Sequence, residues 1–332
     1  MLGMIRRQYA VHSRQAAFFL LLLVVLLPVL GVGEQAIPPQ QMVGPQAQAA
    51  ETVTLPATLY FRYRTTGYLA REMRQISVPR PVSWEMAVIK ALLDGPGSLS
   101  PHLNPLFPPG TQVLSVAANG DMLFVTFNER LLSRYPDEAV VLNQEYSQGE
   151  GHLRRRLAMA GLVNTLTEDG RYARVQVLVR HETNITASMR LSDSYYLLDS
   201  EGLPDPLSRS EGYVLTPQTA TGLLLDSWKK AQWTPALSII KPGEGQEAAS
   251  MPTEHELRVQ LEQAPRLADY FVSPGTVALD GQSAMVVISL RIVRDNGTEQ
   301  VLENLPLRLL LREGIYAIPQ DALQRLLEGL AV

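Results

Sequence analysis

Between Leu153 and Arg180 the spacing of the apolar residues changes period, and this change limits the folds open to the chain more than any other feature. Leu153, Leu157 and Ala160 recur every three or four residues, which at 100° per residue puts them on one helical face. In "RVQVLVR", 174–180, Val175, Val177 and Val179 alternate with Gln176 and Leu178, the period of a strand. Only a short polar turn separates the two patterns, so the strand must pack back against the helix. Asn164 falls near the centre of the apolar helical face, with Thr165 beside it. A buried amide must be satisfied, and near a helix end it can bond free backbone groups of a neighbouring strand or loop. Architecture is therefore the first reading of both residues, ahead of chemistry.

The preceding segment supplies the rest of a layer. "TLYFRY", 58–63, and "MRQISV", 73–78, are β-prone and read as short strands. "SWEMAVIKALLDG" places Ser83 as N-cap, Glu85 in the first turn, Trp84, Val88, Ala91 and Leu92 on one face, and Gly95 just past the end of a helix. In "TQVLSVAANGDMLFVTF", Asn119-Gly120 between two β-prone runs predicts a two-residue turn with positive φ at both positions. That turn opposes Leu114 to Val125 and Val116 to Leu123. Helix, hairpin, helix and strand then make an α+β unit, with one sheet carrying two helices on a face.

A second α+β unit follows the Pro-, Ser- and Gly-rich "LPDPLSRSEGYVLTPQTA". Thr216-Pro217 opens a helix, and Thr253 with Glu256 forms a capping box for another. A long hairpin over Asp295-Asn296-Gly297 and a turn at Glu313-Gly314 predict a curved antiparallel sheet wrapped around these helices. The expected organisation is a basic start and signal peptide or signal anchor over 1–33, a flexible linker over 34–55, one domain over 56–210 and a second over 215–330.

The stretch Ala16 to Gly33 carries no charge and follows Arg6, Arg7 and Arg14, which predicts a cytoplasmic N-terminus and an extracytoplasmic remainder; for an exported chain without cysteine the expected setting is a bacterial envelope. Its length, roughly 18 residues, lies between a signal-peptide core and a full bilayer span. "GVG" at 31–33 is a candidate cleavage site. The chain has no cysteine, which excludes disulfides, thiol catalysis and cysteine-based metal sites. Its 29 basic and 33 acidic residues are spread along the chain, so no basic footprint for nucleic acid is present.

Five segments, "LYF" at 59–61, "LAREMRQI" at 69–76, "AVIKALLDGP" at 87–96, "PPGTQVLSV" at 108–116 and "LVNTLT" at 162–167, resemble the GerM (sporulation and spore germination) domain, as does "PLSR" at 206–209. The resemblance covers about residues 55–210 and implies an αββαβ module similar to the ring-building modules of extracytoplasmic sporulation proteins. It makes Gly95, Pro96, Gly110, Thr111, Asn164 and Thr165 a fold signature. The chain departs from the family in having one copy of the domain, no lipoprotein cysteine and a longer insert around 133–151. Residues about 215–330 are similar to the nuclear-transport-factor-two-like cone through "LLLDSWKKAQWTPALSII" and "LPLRLLLREGIYAI", which implies an accessory binding module and, in some relatives, an enzyme.

Other constellations point to little chemistry. His12, His102, His152, His181 and His255 show no paired ligand spacing, and Glu254, His255 and Glu256 point about 100° apart on a helix start. "GPGS" at 95–98 follows a helix rather than a strand, so its glycine reads as a cap. Asp269, Tyr270, Tyr316 and Trp233 are the candidates for a site in the cone. Arg154, Arg155 and Arg156 are candidates for partner binding, because in the first turn of a helix they would oppose its dipole. "NIT" at 184 and "NGT" at 296 are assigned no function. The expected function is a non-enzymatic, membrane-tethered protein making contacts with protein partners or with itself, without cofactor; the alternative is an exported module binding a wall fragment, peptide or small ligand in the C-terminal domain.

Overall fold

Strands β1 (Thr52–Tyr63) and β2 (Leu69–Pro79) form an antiparallel hairpin at the start of the computed structural model, which describes residues 52–138, 144–183, 187–197, 202–247 and 251–331. The apolar segment 16–33 and the Asn184 triplet lie outside the described residues. The linker expected over 34–55 is shorter than that, because Thr52 to Leu55 are already strand, paired with Pro79 to Ile76. Thr, Val and Leu suit a pleated strand, and Ile76 and Val78 offer them an apolar partner.

Helix α1 (Trp84–Leu93) starts as its sequence dictates: the Ser83 side chain accepts the Met86 N–H at 3.2 Å, and Gly95 follows the end with φ 89°. Strand β3 (Leu103–Asn104) adds to the far end of β1. Strands β4 (Val113–Asn119) and β5 (Met122–Asn128) form the predicted hairpin in a different register. Asn119 pairs with Met122 and Val116 with Val125, so Gly120 and Asp121 are the central residues. Gly120 alone has positive φ, 59°, as a turn with glycine in its first central position requires. A bulge between Val113 and Ser115 restores the apolar face.

Helix α2 (Gln144–Thr167) carries the chain to β6 (Arg174–Arg180), which lies parallel to β5. Parallel neighbours cannot be joined by a tight turn, and α2 supplies the crossover between them, which the helix-to-strand order alone does not specify. Leu123, Val125 and Phe127 of β5 and Val175, Val177 and Val179 of β6 join Leu157, Leu162 and Val163 of α2 in the core. Two short strands, β7 (Met189–Arg190) and β8 (Leu207–Ser208), complete this sheet on β6.

The second half opens with α3 (Pro217–Lys229), capped by Thr216 and Thr219, and α4 (Trp233–Ser238). After β9 (Ile240–Lys241), the capping box of Thr253 and Glu256 starts α5 (Glu254–Gln263). Strands β10 (Arg266–Val272), β11 (Thr276–Val277), β12 (Ser283–Val293), β13 (Glu299–Arg312) and β14 (Ile315–Pro319) build the main sheet, in the order β10-β12-β13-β14-β9. It is antiparallel except where β9 joins β14. The fold class is thus α+β with several antiparallel and mixed sheets. The final helix, α6 (Gln320–Ala331), buries Ala322, Leu323, Leu326 and Leu330.

The halves are stitched by backbone. The Glu313-Gly314 turn, with φ 51° and 76°, lies on β2, where the Arg71 N–H donates to the Gly314 carbonyl at 3.2 Å. His102 Nε2 contacts the Glu313 carbonyl at 3.0 Å, and the Glu313 carboxylate meets Lys241 at 2.8 Å. Tyr63 donates its hydroxyl to the Ser238 carbonyl at 2.7 Å, and the Leu215 N–H reaches the Leu69 carbonyl at 3.0 Å. Buried residues from Leu59 to Leu330 form one apolar cluster, and Thr52–Val332 is one compact unit.

Candidate functional site

The polar residues in the apolar run of α2 are engaged by the chain itself. Gly161 lets the helix come close to β1, since a Cβ there would stand 3.1 Å from the Tyr60 carbonyl oxygen and 2.5 Å from Leu106 Cδ1. One turn further, Thr165 Oγ1 accepts the Tyr60 N–H at 3.2 Å. Asn164, with no exposed surface, donates to the Ser210 carbonyl and accepts the Ser210 N–H, both at 2.9 Å. Both halves of the amide are therefore satisfied by one backbone unit, 46 residues away.

Arg209 completes this latch. Its guanidinium donates to the Asn164 carbonyl at 3.2 Å, to Glu168 at 2.6 Å and to the Tyr60 hydroxyl at 2.8 Å. Tyr60 in turn donates to Glu168 at 2.8 Å. Burial, opposed by Arg71 and supported by the Glu168 contact, pushes the Tyr60 phenol above its ordinary pKa. Each group has a partner, so the cluster holds β1, the end of α2 and the 207–211 segment together. Arg209 and Gly161 take part in this alongside Asn164; Arg209 lies in the "PLSR" segment that carries the resemblance, but its spacing does not announce these bonds, and no pattern points to Gly161.

The remaining signature residues shape turns. Gly95 takes the left-handed conformation after α1 and its carbonyl accepts from Arg74 at 3.0 Å; Pro96 follows where the helix cannot continue. Gly110, φ 82°, sits in a turn closed by the Thr111 N–H and hydroxyl, which donate to the Pro108 carbonyl at 3.2 and 2.7 Å.

Arg154, Arg155 and Arg156 do not occupy the first turn, because α2 begins at Gln144 and they lie near its middle. The dipole cost falls off within a turn of the helix end and does not apply to them. Arg154 pairs with Asp137 at 2.6 Å and lies 4.1 Å from the Tyr135 ring centroid. Arg155 grips Glu138 with both carboxylate oxygens at 3.0 Å and stacks near Tyr135 and Tyr195. Arg156 is half-buried, and its Nε has no hydrogen-bond partner among the described residues. Tyr135 and Tyr195 donate to the Leu106 and Leu131 carbonyls at 2.7 and 2.9 Å, and burial pushes both phenols well above their ordinary range. The charges of Arg154 and Arg155 thus fasten the 131–138 and 193–195 segments to α2.

The candidates in the second half do not converge. Asp269 on β10 and Tyr316 on β14 are separated in the sheet by β12 and β13, roughly 14 Å at the usual strand spacing. Asp269 is exposed and meets Lys229 and Arg291, each at 3.3 Å; the Tyr270 N–H, then Lys229, hold its carboxyl below the usual range, the reverse of what a general base needs. Tyr316 donates to the Gly281 carbonyl at 3.1 Å. Among the described residues, no group of three or more His, Asp or Glu could hold a metal ion.

The chain is similar to the tandem GerMN domains of the sporulation protein GerM from Bacillus subtilis, at 17% identity and a TM-score of 0.31 over 51% of this chain and 50% of that one. It therefore spans half the length of that structure. It is also similar to the first GerMN domain of that protein, at 18% identity and a TM-score of 0.28 over 47% and 98% of the two chains. A putative lipoprotein from Clostridium perfringens matches at 16% identity and a TM-score of 0.25, over 47% and 87%. No curated protein matches the chain. The resemblance of 215–330 to a cone domain finds no support among these comparisons. Residues 58–184, however, match the family Germane, "Sporulation and spore germination". The segment from β1 to just past β6 thus matches a domain of the Germane family.

Proposed function

We propose that the chain is a non-enzymatic protein that makes protein-protein contacts in sporulation or spore germination, on the extracytoplasmic face of a bacterial membrane. The match of residues 58–184 to the Germane family carries this reading. The engagement of Asn164, Thr165 and Arg209 in bonds that hold the fold agrees with it. Residues 16–33 supply the tether in this reading, from their lack of charge and the arginines before them; among the described residues no helix is long and apolar enough to cross a membrane. The apolar segment anchors, the Gln- and Pro-rich linker gives reach, and the folded surface meets partners. Deletion of the gene tests this: heat-resistant spore counts or germination rate should fall and return on complementation, and unchanged values for both would remove the role.

A second reading, an exported module for a wall fragment or small ligand, draws on a groove of about 430 Å³ between α6 and β12–β13, lined by Met285, Pro306, Arg308, Arg325 and Leu326. Thermal stabilisation of the protein by muropeptides, lost in Met285→Asp at the exposed rim of the groove, would favour it.

A further inference from the structure

In an antiparallel pair, alternate residues point their N–H and C=O groups toward the partner strand, and those between point away. Three observations fix which residues of β1 point away from β2. The Tyr60 N–H goes to Thr165 Oγ1, Arg62 is in register with Asn104 of β3, and Pro56 has no N–H to give. Thr54, Pro56 and Thr58 therefore face outward as well. Among the described residues no strand pairs with this edge, since β3 reaches only Arg62 and Tyr63 and Thr165 covers Tyr60.

The edge opens onto a groove of about 230 Å³ lined by Pro56 and Thr58, with Met73 and Trp84 as apolar neighbours. Met73 is 80% exposed. The charged lining residues are Glu85, Glu168 and Asp169 against Arg171. Arg171 binds Glu85 and Asp169, and Arg209 binds Glu168, yet the carboxylates still outnumber the cations. Helix α2 ends here with no basic residue in its last turn, so its carbonyls add to the negative potential.

We infer that the outward edge of β1, from Thr54 to Thr58, is a strand-addition site for an extended segment of a partner protein that places Lys or Arg in the acidic groove. A second copy of the chain fits poorly: two such edges would bring like-charged grooves together, and each would lack a donor at Pro56. The missing donor also restrains pairing with arbitrary strands. The inference rests on the contact-making reading and names where one contact forms.

The test uses the full-length protein in nanodiscs and three fluorescent nonapeptides: one alternating Val and Lys, its Val and Glu counterpart, and an N-methylated form of the first. The Lys peptide should bind and slow amide exchange at Thr54 and Thr58. The N-methylated peptide should bind about tenfold more weakly or less, as expected for losing one or two hydrogen bonds, and so should the Glu peptide. Thr58→Pro, which removes an outward donor and leaves the β2 ladder intact, should weaken the Lys peptide similarly at unchanged Tm. Equal binding of the Lys and Glu peptides, or protection of both amides before any peptide is added, would overturn the inference. So would a dimer dissolved by Thr58→Pro, which would assign the edge to self-pairing. A spore defect on gene deletion without peptide binding removes this edge but keeps the proposed function; peptide binding without a spore defect does the opposite.

Discussion

Gly314→Ala should destabilise the protein well beyond the cost of a strained turn. Gly120→Ala provides the comparison, because both positions have positive φ, 76° and 59°, but a Cβ at Gly120 meets nothing within 4 Å. Left-handed backbone costs an alanine about 1–2 kcal/mol at either site. At Gly314 the new Cβ would also press into the Arg71 backbone, with the carbonyl carbon 3.0 Å away, and the turn must lift. Lifting removes the Arg71 N–H bond to the Gly314 carbonyl and the His102 contact with the Glu313 carbonyl, at 3.2 and 3.0 Å. Each is worth about 0.5–1.5 kcal/mol, so the excess over Gly120→Ala is about 2 kcal/mol. The partly exposed Lys241–Glu313 pair adds little. For a compact unit of this size the excess corresponds to a further loss of roughly 3–4 °C in Tm. Thermal and urea unfolding, followed by circular dichroism and tryptophan fluorescence, would measure it. Equal losses for the two variants would refute the docking of this turn on β2, and two separate transitions in the parent protein would refute the single unit.

Asn164→Ala leaves the Ser210 N–H and carbonyl without partners and should cost about 2–4 kcal/mol in urea unfolding; a loss below about 1 kcal/mol would contradict the latch. Burial raises the Tyr135 and Tyr195 phenols above their ordinary value of 10.0, so their contribution is complete below that pH and is lost as pH rises past it toward the folded-state values. Tyr135→Phe should accordingly flatten the alkaline side of a stability-against-pH curve, and an unchanged slope would count against the burial of its hydroxyl. Thr253→Ala, which removes the acceptor for the Glu256 N–H, should cost about 1 kcal/mol by the same unfolding assay.

The features legible in the sequence are those set by neighbours along the chain. Ser83 and Gly95 bound α1, Thr253 and Glu256 close their box, and the Val175, Val177, Val179 alternation gives the bounds of β6. The position of Arg154 was not legible, because the first turns of α2, "QEYSQGEG", are polar and glycine-containing and show no apolar period. The β4–β5 register depended on a bulge that an Asn-Gly pair does not announce. The bonds of Arg209 to Tyr60 and Glu168 join residues 149 and 41 apart, beyond any local rule. Helix α6 is the opposite case: Ala322, Leu323, Leu326 and Leu330 have helical spacing, but the strand-rich residues before them dominate the reading of the C-terminus.

The most direct test of the central claim is time-lapse fluorescence of a C-terminal fusion, with a fluorophore active outside the cytoplasm, in growing and starved cells of the source organism. The signal should gather around the developing spore after starvation. A uniform envelope signal that starvation does not change would contradict it and favour the ligand-binding module.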